Sequence, residues 1–236
     1  MDRPEITRFV ASALLATLSA SAATAAPPAS QCFGTVSKGR LENGVALPTQ
    51  GANFSAYSRI AAAAGRTHVH STVEAIVTDA YAALRSSQPA VAYVYGETGW
   101  ADGGRIRPHR THQNGLSVDF FVPVRDARGR SVALPTGPTN RFGYDIEFDA
   151  DGRFGEYTID FVALAEHLRA LDVAARARGA TIALVILDPR YLPRLFGTPQ
   201  GEALKRSLPF MKRDAWVRHD EHYHVDFALP CKPLRG

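Results

Sequence analysis

Hydrophobic positions change period along this chain, and the changes mark its elements. Val73, Ile76, Val77, Ala80 and Leu84 recur three and four apart, the spacing of one apolar helix face, so residues 72–85 are predicted as an amphipathic helix packed on the core. Ser71-Thr-Val-Glu74 ahead of them is a capping-box pattern, and Gln88-Pro89 ends the run. A second face, formed by Phe161, Leu164, Leu168, Leu171 and Ala175, follows the candidate cap Asp160 and stops at Gly179. His167 lies on that helix among charged neighbours and reads as solvated surface. Residues 90–95 and 118–124 are rich in β-branched and aromatic residues and read as strands, as do the continuous apolar run 181–187 and residues 225–229. Shorter strand-like pieces at 144–148 and 153–159 flank Asp149-Ala-Asp-Gly152, which lacks the later liganding positions of a calcium loop and reads as a hairpin turn. Residues 33–66, with the turn signal Asn43-Gly44, are expected to be irregular surface, and 190–213 to form short helices joined by Pro and Gly. Strands and helices occur without a sustained βαβα repeat. The predicted class is therefore α+β, a small antiparallel sheet with flanking helices.

The first residues are unlike the rest. A short charged start, an apolar run over 9–20 and the small residues Ala23-Thr-Ala25 have the layout of a secretory signal peptide. The expected organisation is a leader over 1–25, a linker over 26–32 and one domain over 33–236, exported to the periplasm. The apolar run is short and rich in Ala and Ser, so a stable membrane span is not expected. Export agrees with the cysteines: there are two, Cys32 and Cys231, flanking the domain. One disulfide tying its ends is expected, the alternative being two unrelated buried thiols. The net charge of +4 favours approach to an anionic polymer without choosing among cell wall, nucleic acid and lipid. No basic run interleaved with aromatics occurs, so nucleic acid is not an expected partner.

The chemistry concentrates in two stretches. In the first, 103–121, His112 precedes Asp119 by seven positions, where a Gly- and Pro-rich loop turns into a strand; an imidazole and a carboxylate so placed are a plausible pair of zinc ligands. Catalytic zinc takes three protein ligands and keeps a position for water, so a third is needed. The second stretch, 216–227, holds His219, His222 and His224, three of the eight histidines. If a strand begins at His222, the period of two puts His222 and His224 on one face and Tyr223 on the other. His68 and His70, with no acid or further histidine close by in sequence, read as polar residues leading into the helix.

Together, Gly103-Gly104, Pro108-His-Arg-Thr-His-Gln-Asn-Gly-Leu-Ser-Val-Asp119, Trp216 and His219-Asp-Glu-His-Tyr-His224 resemble the penicillin-insensitive murein endopeptidases. These belong to the wider group of zinc peptidases that includes the lysostaphin-type enzymes, the D-alanyl-D-alanine peptidases and the Hedgehog domain. The resemblance implies that fold, a zinc ion held by His112, Asp119 and His224, His222 as general base, and His219 as a further active-site histidine. His109, Arg110 and Gln113 then stand as substrate-binding residues or supports to the ligands. The family commonly has an acidic residue where this chain has Ser117, a departure two positions before a ligand that bears on metal affinity.

The implied reaction is zinc-dependent hydrolysis of the D-alanyl to diaminopimelyl cross-link between peptidoglycan stem peptides, with those stems as partner. The motifs Ser-x-x-Lys and HExxH are absent from the chain, which disfavours serine acylation and a thermolysin-like glutamate mechanism. Arg107 and Arg110 read either as steering stem carboxylates or as solvated surface. Two alternatives stand beside the endopeptidase: a cell-wall-binding protein that keeps the zinc site without turnover, and a D,D-carboxypeptidase or dipeptidase.

Overall fold

The computed structural model describes Met1 and residues 28–234. The expected leader, beyond Met1, and the first two linker residues lie outside them. The chain has an α+β fold. Its N-terminal part runs β1 (Gln31–Thr35), β2 (Lys38–Glu42), β3 (Val45–Ala46), β4 (Phe54–Ala56), α1 (Arg59–Ala63), β5 (His68–Val69), α2 (Ser71–Ser87), β6 (Tyr93–Tyr95) and β7 (Ser117–Phe121). Then follow β8 (Val124–Arg125), β9 (Ser131–Val132), β10 (Arg153–Phe154), β11 (Tyr157–Ile159) and α3 (Phe161–Ala177). β12 (Thr181–Ile186), α4 (Leu192–Phe196), α5 (Gly201–Ser207) and β13 (His222–Ala228) complete it.

The central sheet has five strands in the order β12-β13-β7-β6-β4. Its pairs are antiparallel except the edge pair, where β4 runs parallel to β6. Strand alternation divides the side chains of β7 and β13 between two faces. Val118, Phe120, Tyr223 and Val225 join the core, which α2 and α3 share, while Asp119, His222 and His224 face the other way. The register sets His224 directly beside Asp119 and Asp226 beside Ser117. Residues more than a hundred positions apart are thereby made neighbours.

Several sequence expectations are corrected. Residues 33–66 are not irregular: β1 and β2 form a hairpin, β4 joins the central sheet and α1 follows it. Asn43 takes φ +53° just after that hairpin, in keeping with the turn signal. Residues 144–148 form no strand; a 3-10 turn over Pro138–Gly143 precedes them, and the segment instead buries Ile146 and Phe148 and turns Tyr144 to the cleft. The cap of α2 is His70, whose Nδ1 accepts from the Thr72 amide at 3.1 Å, so the Ser71 capping box is displaced by one residue.

His167 is the largest correction, for it is fully buried. Its ring stacks on Tyr81, meets the edge of Phe120, and hydrogen-bonds the Tyr223 hydroxyl. It lies on the sheet-facing side of α3, between Leu164 and Leu168, where helical spacing repeats the core face and outweighs the charged sequence neighbours. The expected disulfide between Cys32 and Cys231 is present and ties the hairpin to the segment after β13. Asp160 caps α3 by accepting from the Ala163 amide at 3.0 Å.

Candidate metal centre and cleft

A cleft of about 800 Å³ opens on the sheet face opposite α2 and α3. It is lined by His109 from the loop before β7, by His222 and His224 of β13, and by Tyr144, Glu97, His219 and Glu221 among others. Asp119 is fully buried at its base. Oδ1 of Asp119 lies 3.2 Å from Nε2 of His112 and 2.8 Å from Nδ1 of His224. Oδ2 lies 3.7 Å from Nδ1 of His109 and 3.8 Å from Nε2 of His222, and accepts from the Tyr144 hydroxyl at 3.1 Å. Both sequence stretches therefore meet on one carboxylate.

His112 is presented by a loop residue with φ +67°, beside Gly115 at φ +76°. A Cβ at Gly115 would come within 2.7 Å of the His70 amide nitrogen, so only glycine allows the loop to close against the start of α2. The His112 Nδ1–H donates to the Thr98 carbonyl at 2.9 Å, which leaves Nε2 as the free acceptor. That Nε2 is buried and has no hydrogen-bond partner. A lone pair directed at a carboxylate without a proton between them is an arrangement a cation satisfies. His109, His112 and Asp119 offer ligand atoms all within 4.8 Å of one another, a cluster able to hold a metal ion. His224 approaches the same carboxylate through Nδ1, so His109 and His224 compete for the place of third ligand. The Nε2 of His109 is engaged by Glu97 at 2.6 Å, and the Nε2 of His224 by Asp226 at 2.7 Å.

The electrostatics follow from burial against pairing. Burial pushes Asp119 up, but His112 and His222 beside it hold it well below the ordinary carboxylate range. Burial draws His112 down despite Asp119, His222 to about 4, and His219 to about 3, where His222 adds repulsion. His224 runs the opposite way: burial opposes its charge, yet Asp226 and Asp119 raise it to about 10, so without a metal it bridges two carboxylates as an imidazolium. Glu97, although buried, is held down at about 2 by His109 and Arg66. Burial raises Glu221 to about 8.

The remaining expected residues divide. His219 and His109 line the cleft, and the His219 Nδ1–H donates to the Val217 carbonyl at 2.9 Å. Arg107 lines it too and makes no ion pair among the described residues. Arg110 is exposed and lies over the Trp216 ring at 5.4 Å, outside the cleft lining. Gln113 also stays out, its side chain donating to the Arg110 carbonyl at 3.4 Å and its backbone amide to Val36 at 3.0 Å. Glu97, Tyr144, Glu221 and Asp226 were not singled out from the sequence. Asp226 had a signal, since it continues the alternation of His222 and His224; Tyr144 and Glu97 had none, because long-range folding alone brings them to Asp119.

An α+β domain whose cleft ends on a buried histidine and aspartate cluster able to hold a metal ion is a frame for hydrolytic chemistry. Residues 32–137 match the family model for penicillin-insensitive murein endopeptidase. The match runs from within β1 through β9 with His109, His112 and Asp119, and ends before the segment carrying His219, His222 and His224. No curated protein matches the chain.

Proposed function

We propose that this chain is a zinc metallopeptidase that hydrolyses peptide cross-links in peptidoglycan, the D-alanyl to diaminopimelyl bond between stems. The observation that carries the reading is the convergence of His112 and His224 on Asp119 Oδ1, with His222 alongside at Oδ2. The family match over 32–137 supports the substrate class. His112 Nε2, Asp119 and His224 Nδ1 are the proposed ligands, because Nδ1 of His224 lies 2.8 Å from the same Asp119 oxygen that His112 approaches, whereas Nδ1 of His109 lies 3.7 Å from the other oxygen. An imidazole pair with one carboxylate is a donor set suited to catalytic zinc. A bound zinc ion lowers the pKa of a coordinated water to about 7 and polarises a carbonyl.

The chain's own residues supply the rest. His222 donates Nδ1–H to Glu221 at 2.8 Å, which leaves the Nε2 lone pair facing Asp119 Oδ2. That nitrogen is the general base, accepting the proton of the attacking water and returning it to the leaving amine. His219, with Nδ1–H donated to the Val217 carbonyl, presents an Nε2 lone pair to the cleft, where it accepts a hydrogen bond from a substrate amide. Tyr144, donating to Asp119, holds the carboxylate in place. Arg107 at the cleft wall receives a stem carboxylate.

We place this activity outside the cytoplasm. The Cys32–Cys231 disulfide fits an oxidising compartment, and no helix among the described residues is long and apolar enough to cross a membrane.

Mass-resolved digestion of purified muropeptide dimers tests the reading. The wild type is expected to split dimers into monomers. The His222→Ala variant is expected to retain zinc and lose about 10²- to 10⁴-fold in rate. Release of terminal D-alanine with the dimers intact would make it a carboxypeptidase, and no cleavage of any stem peptide would make it a binding protein.

A further inference from the structure

We infer that Ser117 and Asp226 form a cross-strand brace that orients two of the proposed ligands at once, His112 from the loop and His224 from β13. The inference rests on the ligand set proposed above. Ser117 and Asp226 face each other in the β7–β13 register, both buried. The Ser117 hydroxyl donates to Asp226 Oδ1 at 2.6 Å and accepts from the backbone amide of His112 at 3.3 Å. The same Asp226 Oδ1 accepts from Nε2 of His224 at 2.7 Å. A continuous path therefore runs from the His112 backbone through Ser117 and Asp226 to the His224 ring.

Each link has a distinct consequence. Asp226 occupies Nε2 of His224, so the nitrogen left to face Asp119 and His112 is Nδ1; without that anchor the ring is free to turn over about its Cβ–Cγ bond. Ser117 holds the amide of a residue in the left-handed region, which an L side chain adopts only with support. A hydroxyl can do both because it donates and accepts, whereas an ionised carboxylate at 117 could only accept. On this account Asp226 supplies from the partner strand a carboxylate that position 117 lacks. Neither residue touches substrate or the reacting atoms; both are positioning residues.

The test measures zinc affinity by competition with a chromophoric chelator, together with the melting temperature of each zinc-free variant. Asp226→Ala is expected to bind zinc about 10- to 100-fold more weakly than wild type, the usual cost of losing a partner to a ligating histidine. Ser117→Ala, which leaves the Asp226–His224 contact in place, is expected to fall between wild type and Asp226→Ala. Should Asp226→Ala fail to fold, Asp226→Asn keeps the volume and is expected to weaken zinc binding through loss of the charge. Wild-type zinc affinity in a folded Asp226 variant, with only the melting temperature lowered, would reduce the pair to a structural strand contact and overturn the inference. A wild-type protein that binds no zinc would instead overturn the proposed ligand set.

Discussion

Replacing both cysteines, as Cys32→Ala/Cys231→Ala, separates what the disulfide contributes from what the sheet contributes. The bond closes a loop with a sequence separation of 199, and in the chain-entropy treatment a loop of that length stabilises the folded state by about 5 kcal/mol at 25 °C. For a domain of this size each kcal/mol corresponds to about 2–4 °C in melting temperature, so the double variant should melt about 10–20 °C lower. The fold itself should persist, because β13 is held by its pairings to β7 and β12 rather than by Cys231. The loop carrying His112 keeps its own bonds to the hairpin, among them Gln113 to Val36 and Leu41 to Asp102, both 3.0 Å. Zinc affinity is accordingly expected to stay near wild type. Thermal unfolding followed by circular dichroism, in the absence of reductant, reads the first quantity and chelator competition the second. An unchanged melting temperature would refute the loop-closure reasoning, and a large loss of zinc affinity would refute the independence of the metal site from the cross-link.

Two further outcomes follow from particular contacts. Burial holds the His167 imidazole down at about 3 against an ordinary value of 6.5. As pH falls through 6.5 the unfolded chain takes up a proton that the native residue refuses, so stability is lost progressively from pH 6.5 to about 3, by about 5 kcal/mol for the full difference. Urea titrations at a series of pH values should show a shallower decline in His167→Phe than in wild type over that window; parallel declines would contradict it. A Cβ at Gly96 would lie 2.6 Å from the Tyr144 hydroxyl and 3.0 Å from the Asp119 Cβ. Gly96→Ala should therefore cost about 1–3 kcal/mol from overpacking and weaken zinc binding by displacing Tyr144 from Asp119. Unchanged affinity by chelator competition would show that Tyr144 does not position the carboxylate.

The chain's local patterns carried much of this description. Helical spacing gave α2 and α3 to within a turn, alternation gave β7, a continuous apolar run gave β12, and the period of two put His222 and His224 of β13 on one face, because each of these depends only on residues a few positions apart. The two cysteines carried their pairing for a similar reason, being the only candidates. Tertiary structure alone decided the rest. His167, with charged neighbours in sequence, is buried because its position around α3 points at the sheet; Phe54 and its neighbours became an edge strand because β6 offered hydrogen-bonding groups to pair with. Tyr144 and Glu97 reach the His112 and Asp119 cluster through long-range folding, and the register that sets β13 beside β7 is settled by which faces must be buried together, a property of the whole sheet that no single segment encodes.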